Sequence, residues 1–393
     1  MIFLLGNGFD LGHGLPSKYE NFLHVVNFLI KHYENSMETV GSILGDERLH
    51  KIDDKIGLCY SRFGKGYDKI PLTAARVQAL IDVAQQNEWY RYFSNSLDED
   101  IGWIDFEKEI SEVVHAFADF LPKCQPHITL ELEIEDVLTR HFVMQFDFFH
   151  DQAEVLPGLL SPYTERRVKS EYCYEYPKGS GNVIVNAEKI MDYLWHSLEK
   201  LSVLLKEYLQ IFVDETLDLL ISENLIPKAT LYDKDAHVIT FYYTHTFEKL
   251  YGKGSVKHIH GQVDNEIVLG INPDGADDVE SVDTSFLPFK KYYQRVRYNT
   301  DIEYLSYLEA SKRTARYDNG NRLIVVGHSL DVTDKDIIIE LFDLVKEIHI
   351  LYHSERNIGP YIKNLVKIYG KAGFDDLRSK KKLRFLPLKN LFE

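Results

Sequence analysis

The chain opens with MIFLLGNGFDLGHGLP, and the abrupt passage from an apolar run into glycine is its strongest constraint on fold. Ile2-Phe3-Leu4-Leu5 shows no polar alternation, so both faces of this strand must be buried, as happens inside a parallel sheet. Gly6-Asn7-Gly8 then lets the chain turn tightly and lets another group come close to the backbone. In a strand–turn–helix unit such glycines suit a phosphate, met by free N–H groups and the positive end of a helix dipole. The third glycine of GxGxxG is missing, since Leu11 stands there with Gly12 and Gly14 beyond. A plain tight turn accounts for this segment equally well.

Ser17-Lys18-Tyr19-Glu20 has the pattern of a capping box after Pro16, and Phe22, Leu23, Val26, Phe28 and Leu29 repeat at helical spacing. Together they predict a helix from about Glu20 to His32. Residues 36–70 are weakly periodic, and 72–121 return to helical patterning around Trp89-Tyr90 and WIDFE at 103–107. Residues 161–182 carry turn formers and interleaved charge and read as a loop or irregular excursion. Leu194, Leu198, Leu201, Leu205 and Leu209 predict a long helix or helix pair between Ala187 and Ile226.

Beyond Asn224 short apolar runs return at 237–241, 267–270, 323–327 and 348–352, each β-like and set between turns or helices. The expectation is an α/β fold with a Rossmann-like, mostly parallel sheet flanked by helices and split by a large helical insert. Residues 1–70 and 230–393 form the nucleotide-binding domain in this reading, and 71–229 the insert. For 393 residues that organisation, two domains or one with a large insert, fits the length. No internal repeat or low-complexity tract interrupts it.

Sixty-one acidic residues against 45 basic ones leave a net charge of -16, which disfavours nucleic acid and anionic lipid as main partners. Cys59, Cys124 and Cys173 are far apart and give neither a disulfide framework nor a zinc site. The expected home is a reducing cytoplasm, because Met1–Leu5 is too short for a signal h-region and no run approaches a membrane span.

Three further segments follow the opening glycines: ITFYYTHTFEKLY at 239–251, KHIHG at 257–261 and VVGHSLDVTDKDI at 325–337. With the opening and WIDFE they resemble the hallmark phrases of the AbiH phage abortive-infection proteins, in the same order and over nearly the whole chain. A more distant resemblance is to sirtuin-like NAD-consuming domains. Their GAGISxxxGIP has the spacing of Gly6 to Pro16, and their TQNID, HG and GTSL match Thr240–Thr244, His260-Gly261 and Gly327-His328-Ser329-Leu330.

The sirtuin resemblance implies NAD as substrate or bound ligand. Gly6, Asn7, Gly8 and Gly14 would cradle its pyrophosphate, and Thr244, Gly327, His328 and Ser329 would line the site from later strand ends. His260 would be the general base on a ribose hydroxyl, with Gly261 leaving room for the sugar. Tyr242 stands where sirtuins place a catalytic Asn and AbiH proteins read FNYT; either Asn7 takes over the amide role, or catalysis is altered, or the protein binds without turnover. Tyr19 and Lys18 replace the sirtuin Phe-Arg pair.

Asp10 next to a phosphate loop would fix that loop or reach a ribose hydroxyl, and an ordinary helix cap explains it equally. Asp331 keeps a functional role open, whereas Asp334 and Asp336 read as caps. Glu107 reads first as a helix-surface carboxylate and second as a carboxylate reaching the site, with Trp103 as packing anchor. His258 and His260 would share a face if 256–260 were a strand, but no third ligand accompanies them, so no metal is expected. The expected function is phage defence by cleavage of the N-glycosidic bond of NAD. The alternative is a non-catalytic sensor of NAD, ADP-ribose or another nucleotide whose helical insert meets a phage-derived trigger or protein partner, with oligomers allowed. A nuclease or other toxin is disfavoured by the acidic balance.

Overall fold

In the computed structural model the described residues are 1–97, 104–120, 173–175, 183–185, 187–226, 237–252, 255–271, 284–314 and 322–388. Six parallel strands form the main sheet: β1 (Ile2–Leu5), β2 (His237–Thr240), β3 (Ser255–His258), β4 (Arg322–Val326), β5 (Glu347–Tyr352) and β6 (Leu383–Pro387), side by side in the order β3-β2-β1-β4-β5-β6. The chain winds outward on one side of β1, crosses back, and winds outward on the other. This is the doubly wound, Rossmann-like order, with its switch point between β1 and β4.

β1 is the centre, pairing Ile2 with His237 on one side and with Leu323 on the other. Its side chains alternate between two apolar layers. Ile2 and Leu4 join Leu323, Val325, Ile348 and Phe342 on one face. Phe3 and Leu5 join Val238, Val326 and Leu351 on the other. A strand buried on both faces is the reason the opening run has no polar residue.

Between β1 and β2 the chain is largely helical, and its apolar faces share one core from Leu15 through Phe22, Phe93, Phe106, Tyr208 and Phe212. That core also takes in Tyr242, Tyr243, Val263 and Phe289, so the helical body packs on the loops that leave the carboxyl ends of β2 and β3. Among the described residues, no helix is long and apolar enough to cross a membrane.

Several expectations change. The Tyr19–His32 helix forms, but its first turn is capped by Asn21 Oδ1, which accepts the Lys18 N–H at 3.1 Å, and not by Ser17. Ser17 is diverted because its hydroxyl donates to Asn7 Oδ1 at 2.5 Å. The run 267–270 is extended but belongs to no strand of the sheet. The side-chain amide of Gln294 takes over its ladder bonds, accepting the Leu269 N–H at 2.8 Å and donating to the Leu269 carbonyl at 2.9 Å. β3 and β6 complete the sheet at its edges. Residues 173–175, inside the expected loop, pair antiparallel with 183–185, and the remainder of 161–182 lies outside the described residues, as does Trp103. The helix pair at 187–226 is Ala187–Leu209 and Glu215–Ser222, joined by a π turn at Gln210–Asp214.

The glycines of the opening are spent first on the fold. A Cβ at Gly8 would lie 2.6 Å from Gly327 Cα, and one at Gly327, whose φ is +66°, would lie 2.3 Å from Gly8 C and Phe9 N. The Gly8 N–H donates to the Gly327 carbonyl at 2.8 Å, so the loops after β1 and β4 close backbone to backbone. Gly327→Ala is expected to lose ~2–5 kcal/mol of stability from the left-handed φ and the overlap. Gly359→Ala, where a Cβ meets nothing within 4 Å, should be neutral or slightly stabilising in the same thermal unfolding series.

Candidate functional site

Loops from the carboxyl ends of β1, β2, β3 and β4 meet beneath the helical body. Each is fixed by buried polar contacts that the sequence pattern does not advertise.

The loop after β1 is held at both ends. Asn7 is committed to Ser17 through Oδ1 and through Nδ2, which donates to the Ser17 carbonyl at 3.2 Å. That carbonyl also accepts the Tyr242 hydroxyl, and the Pro16 carbonyl accepts the Tyr208 hydroxyl at 2.8 Å. Tyr242 is therefore a buried tie between the β2 loop and the GLPSKY segment. Burial pushes its phenol well above the usual range. Gly14, at φ +79°, turns this segment beside Arg62 and Phe63.

Asp10 is 2% exposed and accepts hydroxyl hydrogens from Thr244, at 2.8 Å, and from Thr246. Burial outweighs these bonds and pushes its carboxyl up to about 7. Asp10 thus locks the β1 loop to the β2 loop. From the other side Asp214, at the end of the π turn, accepts the His245 backbone N–H at 2.9 Å and faces its Nδ1 at 2.8 Å. Two buried carboxylates clamp the Thr244-His245-Thr246 stretch between sheet and helical body.

The second cluster is centred on Asp334. Its Oδ1 is 2.8 Å from Lys291 Nζ and 3.3 Å from His260 Nε2, and its Oδ2 is 3.4 Å from His328 Nε2. His328 Nδ1 accepts the Leu330 N–H at 2.9 Å, which puts the ring proton on the nitrogen facing Asp334. Lys291 Nζ also reaches Glu107 Oε1 at 2.7 Å. Lys291 is 1% exposed and His260 3% exposed. Phe241 packs against both histidines, with ring centroids 5.1 Å and 4.4 Å away.

Electrostatics divides these groups sharply. Burial alone would raise Asp334, but the Lys291 ammonium overrides it and holds the carboxyl far below its usual range. Burial alone would lower Lys291, but Asp334 and Glu107 keep it charged. With Asp334 already balancing the ammonium, burial pushes Glu107 up to about 7. Burial and then Lys291 hold His260 well below its usual range, so its imidazole is neutral at pH 7. Its Nε2 makes no hydrogen bond to any described residue.

Some expected assignments are reversed here. Asp331 is the cap, its side chain accepting the Thr333 N–H at 3.1 Å, whereas Asp334 is the centre of the cluster. Asp336 pairs with the buried Arg295. Glu107 is half-buried and paired: Ile104 and Phe106 are buried in the helical core, Asp105 caps the Phe106–Phe120 helix by accepting the Glu107 N–H at 3.0 Å, and the Glu107 carboxyl turns to Lys291 in the cluster. β3 ends at His258, so the strand alternation that would align His258 with His260 does not extend to His260. His258 turns instead to Glu248, at 2.7 Å. Gly261, at φ +79°, is required by its own turn, where a Cβ would sit 1.9 Å from the Glu266 carbonyl oxygen. Ser329 is exposed, and its carbonyl accepts from Asn364 Nδ2 at 3.0 Å.

Sequence reasoning missed Lys291, which sits anonymously in FKKYYQRVRY. Signals for the others existed. Glu107 shares a helical face with the buried Ile110 and Val114, and Asp334 shares one with Ile337, Ile338 and Leu341.

A protein-family model described as bacteriophage abortive infection AbiH matches residues 2–353. No curated protein and no solved structure matches the chain.

Asp10 yields a pH prediction. Its folded pKa lies above the unfolded value, so the folded state retains a proton that the unfolded chain loses as pH climbs from about 4 to 7, and stability falls across that window. Asp10→Asn removes this dependence. Its melting temperature relative to wild type should rise between pH 5 and pH 8, by the equivalent of on the order of a few kcal/mol.

Proposed function

The chain belongs to the bacteriophage abortive infection AbiH family, with an anti-phage abortive-infection role, and from that premise we propose that it acts by hydrolysing the N-glycosidic bond of NAD. The observation that carries this reading is the buried His260–Asp334 pair at the carboxyl ends of the strands, beside the switch point where open α/β sheets bind nucleotides. A neutral imidazole has a lone pair free to accept a proton, and the ionised carboxylate beside it offsets part of the burial and Lys291 charge that oppose imidazolium.

In this reaction NAD and water give ADP-ribose, nicotinamide and a proton. His260 accepts a proton from a ribose hydroxyl while the bond to nicotinamide breaks and positive charge grows on the ribose; water then bonds to the anomeric carbon, one water proton is released to solvent, and the proton on His260 returns to the ribose hydroxyl. The positive charge formed meanwhile on the His260 ring lies 3.3 Å from the Asp334 carboxylate, whose field favours it. His328, whose Nε2 proton faces the same carboxylate, helps fix Asp334 in place.

A second reading is favoured by Tyr242. In the sirtuin-like alignment that position carries the catalytic amide, and here it holds a phenol committed to the Ser17 carbonyl. The site would then bind NAD, ADP-ribose or another nucleotide as a signal, and the helical body would pass the signal to a partner.

The test is nicotinamide release from NAD by the full chain, purified from resting and from phage-challenged cells. Hydrolysis predicts turnover in wild type, a loss of ~10²–10⁴-fold in His260→Ala, and turnover retained in Tyr242→Phe, which removes only the hydroxyl. No nicotinamide but a raised melting temperature with NAD or ADP-ribose selects the second reading. Neither response would refute both.

A further inference from the structure

We propose that Glu107 is a positioning residue through which the helical body sets the charge felt by His260. The geometry is a chain of contacts crossing from the body into the sheet's carboxyl edge: Glu107 Oε1 to Lys291 Nζ at 2.7 Å, Lys291 Nζ to Asp334 Oδ1 at 2.8 Å, and Asp334 Oδ1 to His260 Nε2 at 3.3 Å. Glu107 is the member of this chain carried by the Phe106–Phe120 helix. Phe106 fixes that helix by stacking between Tyr19 and Phe93, at 4.3 Å and 4.2 Å.

The coupling follows from charge balance in a cluster whose Lys291, Asp334 and His260 are buried and whose Glu107 is half-buried. One ammonium faces two carboxyls, and a buried cluster resists carrying the second negative charge uncompensated. While Glu107 holds a proton, the ammonium's field falls on the imidazole less opposed and disfavours imidazolium. When Glu107 ionises, the cluster gains a negative charge, and a proton on His260 becomes easier to hold. Among the described residues the groups facing Glu107 are Thr333 and Asp334 from the turn after β4, Lys291 from the Lys291–Tyr298 helix, Tyr19 from the Tyr19–His32 helix and Tyr243 from the β2 loop. Arg295 and His328 act on His260 from beyond Asp334. Asp334 is the one other carboxyl among them, and Lys291 holds it ionised far below neutral pH, so Glu107 is the titrating carboxyl of this group.

That His260 is the catalytic base rests on the function proposed above; the coupling between Glu107 and His260 does not. The two are therefore tested separately. Nuclear magnetic resonance of ring-labelled histidines in the full chain, with His260 assigned by its loss in His260→Gln, reads the coupling without any substrate. The His260 signal should show a step near neutral pH caused by ionisation of its neighbour. The step should vanish in Glu107→Gln, move to another pH in Glu107→Asp, and persist in Glu112→Gln, whose carboxylate pairs with Lys108 at the surface. A step that survives Glu107→Gln overturns the proposal.

With turnover measurable, the pH–rate profile supplies the second readout. The limb near neutral pH should flatten to within about twofold in Glu107→Gln, while a helix weakened only structurally would lower the whole profile and leave its shape. Should wild type release no nicotinamide, hydrolysis falls, and the resonance experiment still decides the role of Glu107.

Discussion

Everything in this molecule depends on two backbones meeting at the middle of the sheet. Gly8 and Gly327 approach so closely that neither tolerates a Cβ, and the N–H of one is bonded to the carbonyl of the other. Their contact fixes where the β1 and β4 loops end, and it sets His328, Asp334 and the chain from Asn7 to Ser17 in register. The conformational freedom of glycine, often read as room for a ligand, serves here first to join the two halves of the winding.

From that junction polar contacts radiate in two directions. On one side Asp10 and Asp214 grip the Thr244-His245-Thr246 stretch from sheet and helical body, while Tyr208 and Tyr242 hold the carbonyls of Pro16 and Ser17. On the other, Asp334 gathers Lys291, His260 and His328. The first group makes a rigid floor. The second keeps a neutral imidazole beside an ionised carboxylate, both buried. The helical body contributes Glu107 to that group, so it is a structural part of the cluster.

The fold was legible because its cause is local. Four apolar residues without alternation, followed by glycines, read as a strand buried on both faces, and the short runs after Asn224 repeat the same physics at β2, β4 and β5. The run at 267–270 looks the same, yet Gln294 supplies its bonds from a distant helix, and no local pattern reports that. In the site, His260 and His328 were found through motif order. Asp334 reads as a cap, and Glu107 first as a helix-surface carboxylate and second as one reaching the site, because acids near helix starts usually serve the dipole; their phase with buried Ile337 and Ile110 points inward. Lys291 left no trace, since a buried ammonium is specified entirely by partners far away in sequence. Tyr242 read as a defect in a catalytic phrase, and the fold uses its length to reach Ser17.

The position of β1 bears on how such a protein is made. Its first strand is the central one, and both neighbours, His237–Thr240 and Arg322–Val326, emerge from the ribosome long after it. The helical body can collapse on itself while β1 waits, unpaired and wholly apolar, a segment that chaperones hold well. His260, Lys291, His328 and Asp334 all follow in the later part of the chain. A chain that stops before Arg322 therefore lacks β4, and with it one partner of β1 and the Asp334 end of the cluster.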